Sequence, residues 1–413
     1  MTKRILTYVL LMAGICLFAN AAPGGSDSIR VSLVTVYPGS EIYEAYGHTE
    51  LRVVDERGDY FYNYGLFDFN APGFTYRFVK GETDYLCGAI PQVYAMEGYQ
   101  GRRVVEQILN LTPAQARVVR DMLAENAKPE NATYRYRFVS DNCATRPRDI
   151  IEKALGSSLV YHPEESAKLT YRDIMHAFNG NFAWSQFGID LALGCDLDTV
   201  ITYRQQMFAP LFLMTAISRA TVKNADGTEA PLVKSEQLLS EGAGKGPMAP
   251  PTPWYATPLI VALVLLLLAQ AITVRDCCKT FSVSRWFDTV VYAAFALGGC
   301  LMFYLVFVST HECTSPNYNA LWLHPFYLLL AVMPWLPKAQ KATVALHVAN
   351  VVWLIVVAVL IGGGVLHQKM LTAFYLLMAV PILRSLNYLM LYQLRHIRQS
   401  RNQQQEENYA IEK

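Results

Sequence analysis

Charge is scarce in this chain and nearly cancels. Only 17% of the 413 residues are Asp, Glu, Lys or Arg, and 35 basic against 34 acidic side chains leave a formal net charge of +1. That balance supplies no basic footprint, so no nucleic-acid partner is expected. Cysteine is scarce as well: there are eight, and none has the spacing of a metal site. Cys277 and Cys278 are adjacent rather than two residues apart. No metal, nucleotide or other cofactor is therefore expected. Internal repeats are absent too, which excludes a solenoid or propeller.

Apolar sequence is abundant, but unevenly spread. The opening "MTKRILTYVLLMAGICLFANAAPGG" has a basic start, an apolar run and Ala19-Asn20-Ala21. That is the layout of a secretory signal peptide, expected over residues 1–21. Residues 22–239 read as a mixed soluble domain, and "SEGAGKGPMAPPTP" (240–253) as a flexible linker. Residues 254–394 contain five stretches able to cross a bilayer, near 255–274, 286–308, 319–336, 343–363 and 371–393. Each is roughly 18–23 residues long, which matches a hydrocarbon core near 30 Å. With residues 22–253 exported, the inside loops carry Arg275, Lys279, Arg285, Lys338 and Lys341, and the 395–413 tail carries Arg395, Arg398 and Arg401. The outside loops hold only Lys369, so the charge asymmetry agrees with five spans. Arg384, inside the last span, is expected to snorkel toward the cytoplasm. Cys87, Cys143, Cys195 and Cys313 then face the oxidising side, where a Cys87–Cys195 disulfide is open to them.

In the exported part, "LRVV" (51–54) and "YFYNYGLF" (60–67) predict a β-hairpin around "DERGD", and "RRVVEQILNL" a further strand. Thr112, Pro113 and Gln115 predict a capped helix start. "YRYRFV" (134–139) alternates as a strand, and "RDIIEKALG" reads as a helix closed by Gly156. Between the last two lies "DNCATRPRD". A cysteine in that polar, cationic company is no ordinary buried hydrophobe, and a helix start favours its thiolate. Cys143 is the candidate nucleophile, although Pro147 predicts a first turn that is irregular or starts after Cys143. A free thiol is only a few per cent ionised at neutral pH, so a base is needed. The best placed is His48 in "YGHTELRV", at the head of a strand; His162 and His176 lack that setting. Asn63, on the strand that would pair behind His48, is the candidate orienter of the imidazole, with Asp68 as runner-up.

At these residues the sequence resembles the Lnb N-terminal periplasmic domain family. The resemblance rests on "YGHTELRV", "YNYGLFDF", "FVKGETDYL", "GRRVVEQILNLT", "DNCATRPRDIIEKALG", "WSQFGIDLALG" and "MFAPLFLM" in that order. It covers roughly residues 30–240. That family is similar to circularly permuted NlpC-type papain-like folds, in which the histidine strand precedes the cysteine helix. The resemblance implies an α+β exported domain followed by an all-α transmembrane bundle. It also implies a lipoprotein N-acyltransferase of the bacterial inner membrane with Cys143 as nucleophile and His48 as base. A phospholipid would donate the acyl chain, and a diacylglyceryl lipoprotein would accept it.

Each sharp reading has a plain rival. Arg146 and Arg148 are read first as salt-bridged or solvated side chains, the sharper rival being that one of them binds a headgroup phosphate. His311, Glu312, Asn317 and Asn319, in an unusually polar outside loop, line the transfer site from below, or else form an ordinary solvated loop. Tyr60, Tyr62 and Tyr64 are read as packing rather than as a lipid groove. For the whole chain the alternatives are a cysteine peptidase or amidase acting on cell-wall peptide, and a non-catalytic membrane scaffold.

Overall fold

Alternation of apolar residues at every second position makes a strand two-faced, and the N-terminal half is built on strands of that kind. In "RVSLVTV", Val31 and Leu33 face one layer while Val34 and Val36 face another, and all four are buried. The computed structural model describes residues 29–411 except 69, 164–167, 225 and 243–249. The expected signal peptide, 1–21, lies outside the described residues.

The strands are β1 (Arg30–Val36), β2 (His48–Asp55), β3 (Gly58–Leu66), β4 (Asp84–Pro91), β5 (Val104–Leu109), β6 (Thr133–Arg135), β7 (Leu159–Val160), β8 (Thr221–Lys223), β9 (Glu229–Pro231) and β10 (Val233–Ser240). Seven of them form one antiparallel sheet in the order β10-β5-β1-β2-β3-β4-β6; β7, β8 and β9 form a small second sheet. The expected hairpin is β2–β3, turning at Glu56-Arg57 between paired Asp55 and Gly58. The strand expected over 134–139 is cut to Thr133–Arg135, because the chain then folds into a tight turn bridged from Arg137 to Asp141.

Helices α1 (Phe74–Lys80), α2 (Gln92–Gly98), α3 (Pro113–Asn126), α4 (Thr145–Leu155), α5 (Tyr171–Asn179), α6 (Ala183–Ala192) and α7 (Pro210–Arg219) surround the sheet. Thr112 caps α3 with Gln115 as the reciprocal partner, as its sequence predicts. One face of the sheet packs on α3, α4 and α7 through Val119, Leu123, Ile150, Ile151 and Leu213, and Tyr62 and Tyr64 belong to this core. The opposite face, with Val36, Phe61 and Val104, is closed by Ala95 of α2.

The C-terminal half holds four helices long and apolar enough to cross a membrane: Pro258–Thr280, Arg285–Phe307, Pro337–Gly362 and Thr372–Glu406. Their regular α-helical portions are α8 (Pro258–Arg275), α9 (Arg285–Phe307), α10 (Gln340–Gly362) and α11 (Thr372–Ile411). The third expected stretch, 319–336, is not a continuous helix. It is split into Asn319–Trp322, Tyr327–Val332 and a 3₁₀ turn at Met333–Trp335. Pro325 and Pro334 interrupt it because neither can donate the helical hydrogen bond. At the break, the Tyr327 hydroxyl donates to the Trp322 carbonyl, and Gly299 of α9 lies so close to His324 that a Cβ would fall 2.2 Å from its carbonyl carbon. Arg384 also differs from expectation. It does not snorkel but is fully buried, held by Asp288 at 2.5 Å and Asp276 at 2.8 Å, since a charge inside a bundle needs a partner.

The two halves are clamped together. Asn317 and Asn319 donate to the Leu191 and Asp190 carbonyls at the end of α6, and the Gly194 amide donates to Cys313 O. On the other side Ser309 and Thr310 donate to the Lys80 carbonyl at the end of α1. Glu312 accepts from the Val139 amide at 3.4 Å and from the Ser140 hydroxyl.

Candidate active site

Cys143 precedes α4 by two residues, in a loop fixed by one buried asparagine. Asn142 Oδ1 accepts from the Ala144 amide at 2.8 Å and the Thr145 amide at 2.9 Å; its Nδ2 donates to the Phe138 and Phe208 carbonyls. The first-turn amides expected to stabilise a thiolate are therefore already bonded. The amides that reach the sulfur are those of Thr49 and of Cys143 itself. The helix starts after Cys143, as Pro147 allows. Pro147 is the third residue of α4, so its ring faces the carbonyl of Cys143, which lies outside the helix.

Thr49 follows His48, so the amide that meets the thiol belongs to the head of β2. Cys143 and His48 both line a cavity of about 420 Å³, with Tyr46, Asn63, Tyr85, Tyr99, Arg102 and Tyr136 among its walls. The His48 imidazole has a fixed tautomer. Its Nε2 lies 3.1 Å from Asn63 Oδ1, and that same oxygen accepts the Gly65 amide at 2.6 Å, which defines it as the acceptor end of the amide. Nε2 therefore carries the proton and Nδ1 holds the basic lone pair. Gly65 is required for this contact, since a Cβ there would sit 2.7 Å from His48 Cε1.

Burial dominates the electrostatics. It pulls the His48 imidazole down to about 4; the bond to Asn63 opposes that shift and the Arg102 guanidinium adds to it. Burial likewise pushes the Cys143 thiol up to about 11, against the pull of the Thr49 and Cys143 amides. Thiol and imidazole are thus both neutral at pH 7, and no ion pair is preformed.

Asp68 does not line the cavity, and neither do His162 or His176, which bond to Thr221 and Asp190. Arg146 is bound bidentately to Asp141 and stacks over Tyr134, 4.2 Å from the ring centroid. Arg148 is buried against Asp149 and the Arg204 carbonyl. Neither arginine reaches the cavity. His311 Nε2 bonds the Phe78 carbonyl at 2.5 Å, and Asn317 belongs to the interdomain clamp, so both stand outside the cavity as well. Cys87 and Cys195 are separate free thiols.

Two groups at the site were not anticipated from the sequence, Arg102 in the cavity wall and Glu50 buried beside His48. Arg102, 8% exposed, donates to the Tyr37 carbonyl and lies over the Tyr99 ring. Glu50 is fully buried with Oε1 3.9 Å from His48 Nε2, faces Tyr99 and Asn63, and has its carboxyl pushed up by burial to about 7. Glu50 was within reach of a sequence argument, because it lies two residues from His48 on the same face of β2.

Two family models match this chain: the Lnb N-terminal periplasmic domain over residues 25–177 and the Lnb transmembrane domain over residues 251–395. No curated protein and no solved structure matches it.

Proposed function

Because this chain belongs to the Lnb family, a multi-pass membrane protein with a periplasmic N-terminal domain, we propose that it is an inner-membrane lipoprotein N-acyltransferase working through a Cys143 thioester. The observation that carries this reading is the His48 tautomer. Asn63 holds Nε2, and the free Nδ1 belongs to the residue whose successor donates its amide to the Cys143 sulfur. A neutral thiol and a neutral imidazole lining one cavity call for general-base catalysis at the moment of attack.

In the first half-reaction the Cys143 sulfur attacks the ester carbonyl of a phospholipid while its proton passes to His48 Nδ1. The carbon–oxygen bond then breaks, and His48 returns the proton to the departing lysophospholipid alkoxide. In the second, the free α-amine of a diacylglyceryl cysteine attacks the thioester and gives a proton to His48. The carbon–sulfur bond breaks and the thiol is restored. Glu50 stabilises the transient imidazolium through Nε2. The Cys143 amide serves as the donor to the tetrahedral oxyanion. Residues 1–21 act as a signal peptide that exports the domain. Both substrates are anchored in the bilayer, which gives the spans and the clamp a purpose that a cell-wall amidase would lack.

The test is intact mass spectrometry of purified protein after exposure to phospholipid vesicles without an amine acceptor. One fatty acyl group, about 240 Da for sixteen carbons, is expected on Cys143. It should be removable by neutral hydroxylamine, absent from Cys143→Ala and accompanied by lysophospholipid. A diacylglyceryl cysteine peptide should discharge it as an N-acyl product. N-acylation without any Cys143 adduct, or discharge to water alone, sinks the proposal.

A further inference from the structure

Cys143 lies in the periplasmic half, while the acyl chain it would receive begins in the bilayer. A chain drawn through water to reach it would be disfavoured by about fourfold per exposed methylene. An apolar surface joining the two places is therefore a physical requirement of the proposed reaction.

The structure contains such a surface. Helix α1 rests on the outer end of α9, where Ser309, Thr310 and His311 bond the carbonyls of Phe78, Val79, Lys80 and Gly81. There the Phe78 ring, 50% exposed, meets His311 edge-on at 5.9 Å. From Phe78 the rings continue without a gap. Phe74 stacks on Phe78 at 6.0 Å, Phe67 on Phe74 at 6.1 Å, Tyr85 on Phe67 at 4.6 Å and Tyr136 on Tyr85 at 4.1 Å, with interplanar angles of 16 to 23°. Phe67, Tyr85 and Tyr136 are walls of the cavity that holds Cys143. Phe78 is exposed and the other four rings are partly buried, with Tyr85 and Tyr136 packed on the core of the sheet, so the ladder runs from an exposed end at the bilayer to the edge of the core at the cavity.

We propose that the Phe78–Phe74–Phe67 ladder is an acyl-chain ramp, along which the hydrocarbon chain of a periplasmic-leaflet lipid passes from the bilayer to the Cys143 cavity. The ramp rests on the acyltransferase reading and supplies its missing route. Its occupant is a fatty acyl chain because both ends are fixed by contacts described above, the membrane end at His311 and the reactive end at Tyr136. The wall between them is continuous aromatic carbon. A cell-wall peptide has no need of such a path, and its polar backbone would be left unsatisfied along it.

The experiment compares two donors by the rate at which Cys143 gains acyl mass in the full-length protein. One donor is sixteen-carbon phosphatidylethanolamine–phosphatidylglycerol vesicles, and the other is soluble p-nitrophenyl butyrate. Phe74→Ser and Phe78→Ser should lower the ratio of the vesicle rate to the butyrate rate at least tenfold, and Phe74→Leu should restore most of it. A ratio within twofold of wild type in both serine variants overturns the ramp, and so does a leucine variant as impaired as the serine one. Wild-type protein that labels with p-nitrophenyl butyrate but not with vesicles overturns the phospholipid-donor reading itself, and the ramp with it.

Discussion

The neutral state of the Cys143–His48 pair can be tested without any substrate. A thiol pushed up to about 11 from an ordinary 9.0 has roughly a hundredfold less thiolate at pH 7. Its greater basicity returns about tenfold in intrinsic nucleophilicity, given a Brønsted slope near 0.4–0.5. Alkylation of Cys143 by iodoacetamide should therefore run about tenfold slower at pH 7 than that of an unperturbed thiol, before any steric term. The rate should climb about tenfold per pH unit with no plateau below pH 9, because thiolate is drawn from a single high titration. His48→Ala should leave this slope intact, since an imidazole held down to about 4 donates no stabilising charge in that range. The assay is the time course of the modified Cys143 peptide by mass spectrometry between pH 4 and 10. A plateau from about pH 5 to 8 that disappears in His48→Ala would reveal a preformed thiolate–imidazolium pair and refute the reasoning.

Three further outcomes are expected. Gly65→Ala puts a methyl 2.7 Å from His48 Cε1, so acyl transfer should fall at least tenfold while the melting temperature moves little; an unchanged rate would mean the imidazole does not need its present seat. Asn142→Ala strips two amide caps and two buried bonds from the nucleophile loop and should cost about 2 kcal/mol, read as a drop of several degrees in melting temperature. Glu50 is the pH-sensitive one. Its folded carboxyl holds the proton up to about 7 against 4.5 for a free one, so its favourable contribution is full below 4.5 and is lost as pH rises through 7. The loss is on the order of 3 kcal/mol. Glu50→Gln, which cannot ionise, should melt close to wild type at pH 4.5 and above it at pH 8; equal melting temperatures at both pH values would contradict the assigned burial.

Local signals carried the local geometry. The β2–β3 hairpin was legible from its alternation and its Gly58 turn, and the hairpin's register is what puts Asn63 opposite Glu50 and within reach of His48. The start of α3 was legible because Thr112 and Gln115 carry their caps within four residues. Arg102 was hidden because it lies two residues before β5, which crosses over to lie beside β1 rather than next to its sequence neighbours. Arg146 and Arg148 follow the plainer of their two readings, since each has an acidic partner, Asp141 or Asp149, near in sequence. The third apolar stretch had the length of a span, but its prolines deny it a continuous ladder of helical hydrogen bonds.

The clamp formed by residues 309–319 makes the site answerable to the bilayer itself. One loop, issuing from the outer end of α9, grips α1 through Thr310 and the nucleophile loop through Glu312. Both grips belong to the same loop, so a displacement at the outer end of α9 acts on α1 and on the nucleophile loop together. A membrane that thickens or thins changes the tilt of its helices, and a change in the tilt of α9 would be felt at α1 and at the nucleophile loop through these contacts. Reconstitution in bilayers of graded chain length should therefore give a turnover optimum set by thickness, separate from any preference for the chain being transferred.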